Sequence, residues 1–149
     1  MKPTKLSIVA IAICLLAIAA LAMPADEPVR KNGYFNIDAA YLARLLAAKD
    51  SKSGAAGNFF LVNTHVPYEG HIQGTDAFIP YNRTWEMAGR YPADKTARIV
   101  VYCMTGPMSD SASRALVRLG YTNVYNLIGG MQAWKRAGHA LDYSGVVKP

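Results

Sequence analysis

The residues whose types and spacing point to chemistry run from Arg98 to Ser113 and read R-I-V-V-Y-C-M-T-G-P-M-S-D-S-A-S. Ile99 to Tyr102 is a short β-branched and aromatic run bounded by a Gly/Pro loop, the signature of a buried strand. Cys103 stands where that strand ends. Ser109 then reads as an N-cap and Asp110 as a first-turn acid, while Ala112, Ala115, Leu116 and Leu119 recur at helical spacing. A helix N-terminus presents unpaired backbone N–H groups and partial positive charge, which favour a thiolate over a thiol. The order strand, cysteine, loop, helix therefore predicts a reactive, anion-binding Cys103 at the carboxyl edge of a parallel sheet. A cysteine that only fills a core packs like a small hydrophobe and has no need of a Gly-Pro loop and a capped helix directly after it.

The elements that must position this thiol lie on both sides of it. Residues 23–33 mix Pro, Gly and both charge signs, as a tether does. Tyr34 to Ile37 reads as a short strand, and Asp38 as the N-cap of a helix over Ala39 to Lys49 with Leu42, Leu45 and Leu46 on its apolar face. Lys52 to Asn58 is a polar, Gly-rich loop, and Phe59 to Val62 is the next strand. From Thr64 to Asn82 the chain is dense in Pro and Gly, with only Ala77 to Ile79 strand-like, and is expected to wall the pocket at the same sheet edge as Cys103. Thr84 to Gly89 reads as a short helix and Tyr91 to Ala97 as a turn. Beyond the helix that starts at Ser109, Gly120 is the stop and Val124 to Leu127 a last strand. Gly129-Gly130 open a final helix carrying Met131, Trp134 and Ala137. Short, continuously apolar strands alternating with helices predict a three-layer α/β domain with a mostly parallel central sheet flanked by helices.

The chain has 149 residues, room for one ordinary domain, and its 52% hydrophobic content is raised by the first two dozen. Lys2 and Lys5 precede an apolar run from Leu6 to Ala22, and Ala20-Leu21-Ala22 offers the small residues a signal peptidase reads. Residues 1–22 are thus expected to be an export signal cleaved before Met23. An uncleaved membrane anchor through residues 6–22 is the rival reading, and either places the domain in the periplasm or otherwise outside the cytoplasm. Ile13 is too bulky for lipid attachment at Cys14. Once the leader leaves, Cys103 is the only cysteine, an unpaired thiol in an oxidising compartment. Loss of Lys2 and Lys5 takes the formal charge from +6 to +4, with no basic stripe of the kind nucleic acid requires.

Over Tyr34 to Leu141 the chain resembles the rhodanese (sulfurtransferase) family. The resemblance is carried by Gly70-His71-Ile72, by V-V-Y-C-x-x-G-x-x-S from Val100 to Ser109, and by L-G-Y-T-N-V-Y-N-L-I-G-G-M-Q-A-W-K-R-A-G from Leu119 to Gly138. It implies a domain over residues 34–141 followed by a tail, 142–149. It also implies that Cys103 accepts a sulfane sulfur as a persulfide, with Met104, Thr105, Gly106, Met108 and Ser109 about the substrate. The six-residue loop from Cys103 to Met108 matches sulfur-accepting members, whereas phosphatases and arsenate reductases of the same fold use one residue more. Where single-domain members carry basic loop residues, Met104, Pro107 and Met108 stand here. Each missing charge-assisted hydrogen bond would weaken oxyanion binding roughly ten- to a hundredfold. The family's usual acidic residue after the second strand is absent, since the strand ends Val62-Asn63-Thr64.

The expected reaction is double displacement through Cys103, from a small sulfur-containing donor to a thiol or other thiophilic acceptor, with no cofactor and with a sulfur-relay protein as a further possible partner. Membrane contact is expected only if the N-terminal segment is retained. The resemblance makes His71 part of a structural turn, and His65 lies in the same loop, so neither is expected to move protons. Trp134 and Tyr125 are expected to pack rather than to touch substrate. Two alternatives stay open: a catalytically weak carrier or partner-docking domain, and a soft-metal module in which Cys103, Met104 and Met108 hold Cu(I).

Overall fold

The computed structural model describes residues 28–51 and 57–145. The leader at residues 1–22, the first part of the tether, residues 52–56 of the Gly-rich loop and residues 146–149 of the tail lie outside the described residues. No helix among the described residues is long and apolar enough to cross a membrane.

Strand β1 (Val29–Lys31) turns through Asn32 and Gly33 into β2 (Tyr34–Ile37), both turn residues having positive φ, 56° and 87°. Such a two-residue link matches the twist of paired antiparallel strands, and Asn-Gly is its favoured sequence. The tether reading, which runs to Gly33, thus covers an edge strand: Val29 lies opposite Asn36 and Lys31 opposite Tyr34. Asp38 caps α1 (Ala39–Asp50), its carboxylate accepting the Tyr41 N–H at 2.7 Å. Next come β3 (Phe60–Asn63), β4 (Ala77–Phe78), β5 (Ile99–Tyr102), α2 (Pro107–Arg118), β6 (Val124–Leu127) and α3 (Gly130–Arg136). The helix expected over Thr84 to Gly89 is instead a turn between two 3-10 segments, Tyr81–Arg83 and Ala88–Arg90. Six residues without a side-chain cap cannot offset the cost of nucleating a helix.

The sheet order is β1-β2-β6-β5-β3-β4, and every pairing except β1 with β2 is parallel. On one face, Leu42 and Leu45 of α1 and Met131 and Trp134 of α3 pack with Leu61, Val100, Tyr102, Tyr125 and Leu127. On the other, Leu116 of α2 packs with Val62, Ile99, Val101 and Val124. Successive side chains of β5 alternate between the two clusters, as the two-residue strand period requires. All four of its residues are buried, which accounts for the unbroken apolar run. The fold is the expected three-layer α/β arrangement, with β5 interior to the sheet and its carboxyl end aimed at the loop that starts α2.

Candidate active site

Strand β5 delivers Cys103 to that end, and the residue just after β3 fixes the carbonyl just before it. The Thr64 N–H and the Thr64 hydroxyl both donate to the Tyr102 carbonyl, at 2.8 and 2.9 Å. The chain then curls so that the Gly106 N–H donates to Cys103 Sγ at 3.0 Å. The Ser109 hydroxyl lies 3.6 Å from the same sulfur and donates to the Gly106 carbonyl at 2.9 Å. Gly106 has φ 127°, a conformation that strains any residue with a β-carbon. As a result Cys103 is 1% exposed. The thiol sits beneath its own loop instead of open at the rim, because Gly106 turns back over it.

Ser109 is not the N-cap that the sequence pattern suggests. The helix cap lies three residues earlier, at Gly106, with Pro107 in the first turn, where a missing N–H costs the helix no hydrogen bond. Ser109, fully buried, therefore keeps its hydroxyl for the sulfur and the loop. Asp110 follows in the same turn, bonded to the buried Tyr34 hydroxyl and to Arg114. Burial first, and then the Asp110 carboxylate, push the Tyr34 phenol above its ordinary range.

Of the residues expected about the substrate, Gly106 and Ser109 meet the sulfur. Met104 is half-buried against the apolar cluster under α1 and α3. Thr105 is exposed, and Met108 is half-buried in the first turn of α2. The histidines have partners of their own. His65 Nε2 lies 2.5 Å from Glu69 Oε2, and Tyr68 Oη 2.7 Å from His71 Nδ1. His71 and Asp142 also exchange backbone hydrogen bonds at 2.9 and 2.7 Å. Asn63 closes the turn between them, its side-chain amide donating to the Gly70 carbonyl at 3.0 Å and its oxygen accepting the His65 N–H at 2.9 Å.

The first turn of the helix that Gly129-Gly130 open proves to hold the loop. The Met131 N–H donates to the Cys103 carbonyl at 2.8 Å and the Gln132 N–H to the Met104 carbonyl at 3.0 Å. A β-carbon on Gly130 would come within 2.2 Å of the Cys103 oxygen, so the approach depends on its absence. The adjacent glycines at 129 and 130 were the signal that could have found this contact. A groove of about 520 Å³ between α1 and α3, walled by Leu46, Trp134 and His139, includes no residue from Cys103 to Ser109 and lies apart from this chemistry.

Residues 38–137 match the family model described as Rhodanese-like domain. The thiosulfate sulfurtransferase GlpE of Coxiella burnetii is 46% identical over 43 residues, 29% of this chain and 40% of that protein. The protein of the same description from Actinobacillus succinogenes is 41% identical over 51 residues, 34% of this chain and 46% of its own length. The chain thus spans less than half the length of these curated relatives. Among solved structures, a rhodanese-related protein from Thermoplasma volcanium superposes with a TM-score of 0.57 at 24% identity, covering 72% of this chain and 96% of that one. The reduced Bacillus anthracis CoADR-RHD gives 0.58 at 22% identity, covering 72% and 18%. At these identities the structural likeness speaks to the fold.

Proposed function

The chain belongs to the rhodanese-like domain family, and from that premise we propose that it is a sulfurtransferase that carries a sulfane sulfur on Cys103. The observation that carries this reading is the Gly106 N–H aimed at Cys103 Sγ from the loop that opens α2. A donor N–H there stabilises charge on sulfur in a site from which water is largely excluded, and it needs no separate base.

In the first half-reaction the Cys103 thiolate attacks the outer sulfur of a donor. A new S–S bond forms, the donor's bond to that sulfur breaks, and the electron pair leaves with the first product, sulfite in the case of thiosulfate. In the second, an acceptor thiolate attacks the outer sulfur of the persulfide and Cys103 departs as thiolate. No oxidant is consumed. The loop supplies N–H groups but no cation, since Met104, Thr105, Gly106, Pro107 and Met108 are all uncharged. Thiol-derived donors such as organic persulfides are therefore favoured over a small dianion.

Intact-mass spectrometry of the purified chain after incubation with an organic persulfide tests the reading. A gain of one sulfur atom on wild type, absent in Cys103→Ser and reversed by a thiol acceptor, is expected. Wild type with no gain from persulfide, polythionate or thiosulfate would overturn it.

A further inference from the structure

A cation reaches the sulfur's loop from outside it. Arg136 ends the seven-residue α3, and helical side chains lean toward the N-terminus of their helix, so its guanidinium comes back over the start of α3. Nη2 of Arg136 lies 3.4 Å from the place a β-carbon on Gly129 would occupy. Gly129 in turn backs onto the loop: its nitrogen is 3.8 Å from the β-carbon position of Gly106, the residue whose N–H meets Cys103 Sγ. Neither glycine carries a side chain between guanidinium and loop, and the Ala133 β-carbon flanks the strip, 2.8 Å from the same Gly129 position. Arg136 has no ion-pair or hydrogen-bond partner among the described residues. By contrast, Arg83, which follows β4 at the same sheet edge, is paired with Glu86 at 2.6 Å.

We propose that Arg136 is the anion-recognition residue of the sulfur site, selecting organic hydropersulfides that bear a carboxylate several bonds from the sulfane sulfur. This rests on the sulfurtransferase reading and names its donor class. Because Cys103 is enclosed, only the tip of a donor enters while its body stays on the outer surface of the loop, where Gly106, Gly129 and the guanidinium lie in sequence. Two glycines separate Arg136 from the sulfur, so an anion held by the guanidinium carries its reactive sulfur at a distance. Arg136 binds and orients the donor. The chemistry stays at Cys103, which bonds to the terminal sulfur while the donor's S–S bond breaks and its electron pair leaves on the donor's own thiolate.

Glutathione hydropersulfide and its diethyl ester, which share the reactive sulfur and differ in the carboxylates, test this on the full chain, with thiosulfate as the donor that has no remote charge. Wild type is expected to use the acid about three- to fivefold better than the ester in kcat/KM, through KM, with the preference fading in high salt. Arg136→Ala abolishes that preference, Arg136→Lys retains most of it, and Arg136→Glu reverses it, each variant changing the acid-to-ester ratio more than it changes turnover of thiosulfate. An acid-to-ester ratio that is the same in wild type and Arg136→Ala overturns the assignment, and so does an equal fall with thiosulfate, which would mark Arg136 as structural. Either result leaves persulfide formation on Cys103 standing. A wild type that takes sulfur from none of the donors removes both readings.

Discussion

The N–H of Met131 donates to the carbonyl of Cys103 at 2.8 Å, so the start of α3 fastens the reactive loop from behind. With its first two carbonyls turned toward α3, the loop is left to bring the N–H of Gly106 round to the sulfur. This is a division of labour within one peptide segment: carbonyls bind structure and an amide binds the sulfur.

Gly130→Ala should break that fastening. Its φ of 55° already costs a β-carbon about 1 kcal/mol or more, and the new carbon would overlap the Cys103 oxygen. The variant is expected to melt at lower temperature and to lose sulfur loading of Cys103 more severely than its stability alone accounts for. Thermal melts alongside intact-mass spectrometry compare the two losses.

Ser109→Ala removes the hydroxyl that stands 3.6 Å from the sulfur and 2.9 Å from the Gly106 carbonyl. One net hydrogen bond contributes about 0.5–1.5 kcal/mol, so the loading rate should fall roughly two- to tenfold while Cys103 remains competent. Loading as fast as in wild type would show that the hydroxyl serves only the loop.

Tyr102→Phe tests the wall of the site from the other face. The buried phenol accepts the Ile72 N–H at 3.0 Å and pairs with the Thr75 hydroxyl at 2.7 Å, so its loss strands an N–H in the interior. A destabilisation of about 1–3 kcal/mol in urea unfolding is expected. Burial also pushes this phenol far above its ordinary value.

Tyr91, together with Tyr102, weighs on stability at alkaline pH. Burial pushes its phenol from 10.0 up to about 12. Above pH 10 the unfolded chain releases this proton while the folded chain still holds it. Stability is therefore complete below pH 10 and declines as pH rises toward 12, by about 2–3 kcal/mol for a two-unit difference. Denaturant titrations at pH 9 and pH 11.5 should show a smaller decline for Tyr91→Phe than for wild type.

The strands over Tyr34 to Ile37, Ile99 to Tyr102 and Val124 to Leu127 could be read from sequence because each sends side chains into the core on both faces of the sheet, and a short, mostly apolar run between turn residues fits little else. Strand β1 escaped that test: Val29, Arg30 and Lys31 are all exposed at the sheet edge, and only the Asn32-Gly33 turn betrayed them. The loop misled in a different way. Ser109 has the right chemistry for a cap, but a glycine that can reach φ 127° with a proline after it starts the helix sooner. The position of Cys103 was visible and its enclosure was not, because enclosure depends on Gly106 folding back and on a helix more than two dozen residues later.

The cradle of the sulfur draws on Thr64, on the stretch from Cys103 to Ser109, and on Met131 with Gln132, three places that meet only when the sheet has closed. A chain halted before its last helix would own the cysteine without the cage around it. Sulfur uptake by this thiol should therefore wait for α3, and the rate at which a nascent or refolding population acquires the label would serve as a clock for the docking of that helix.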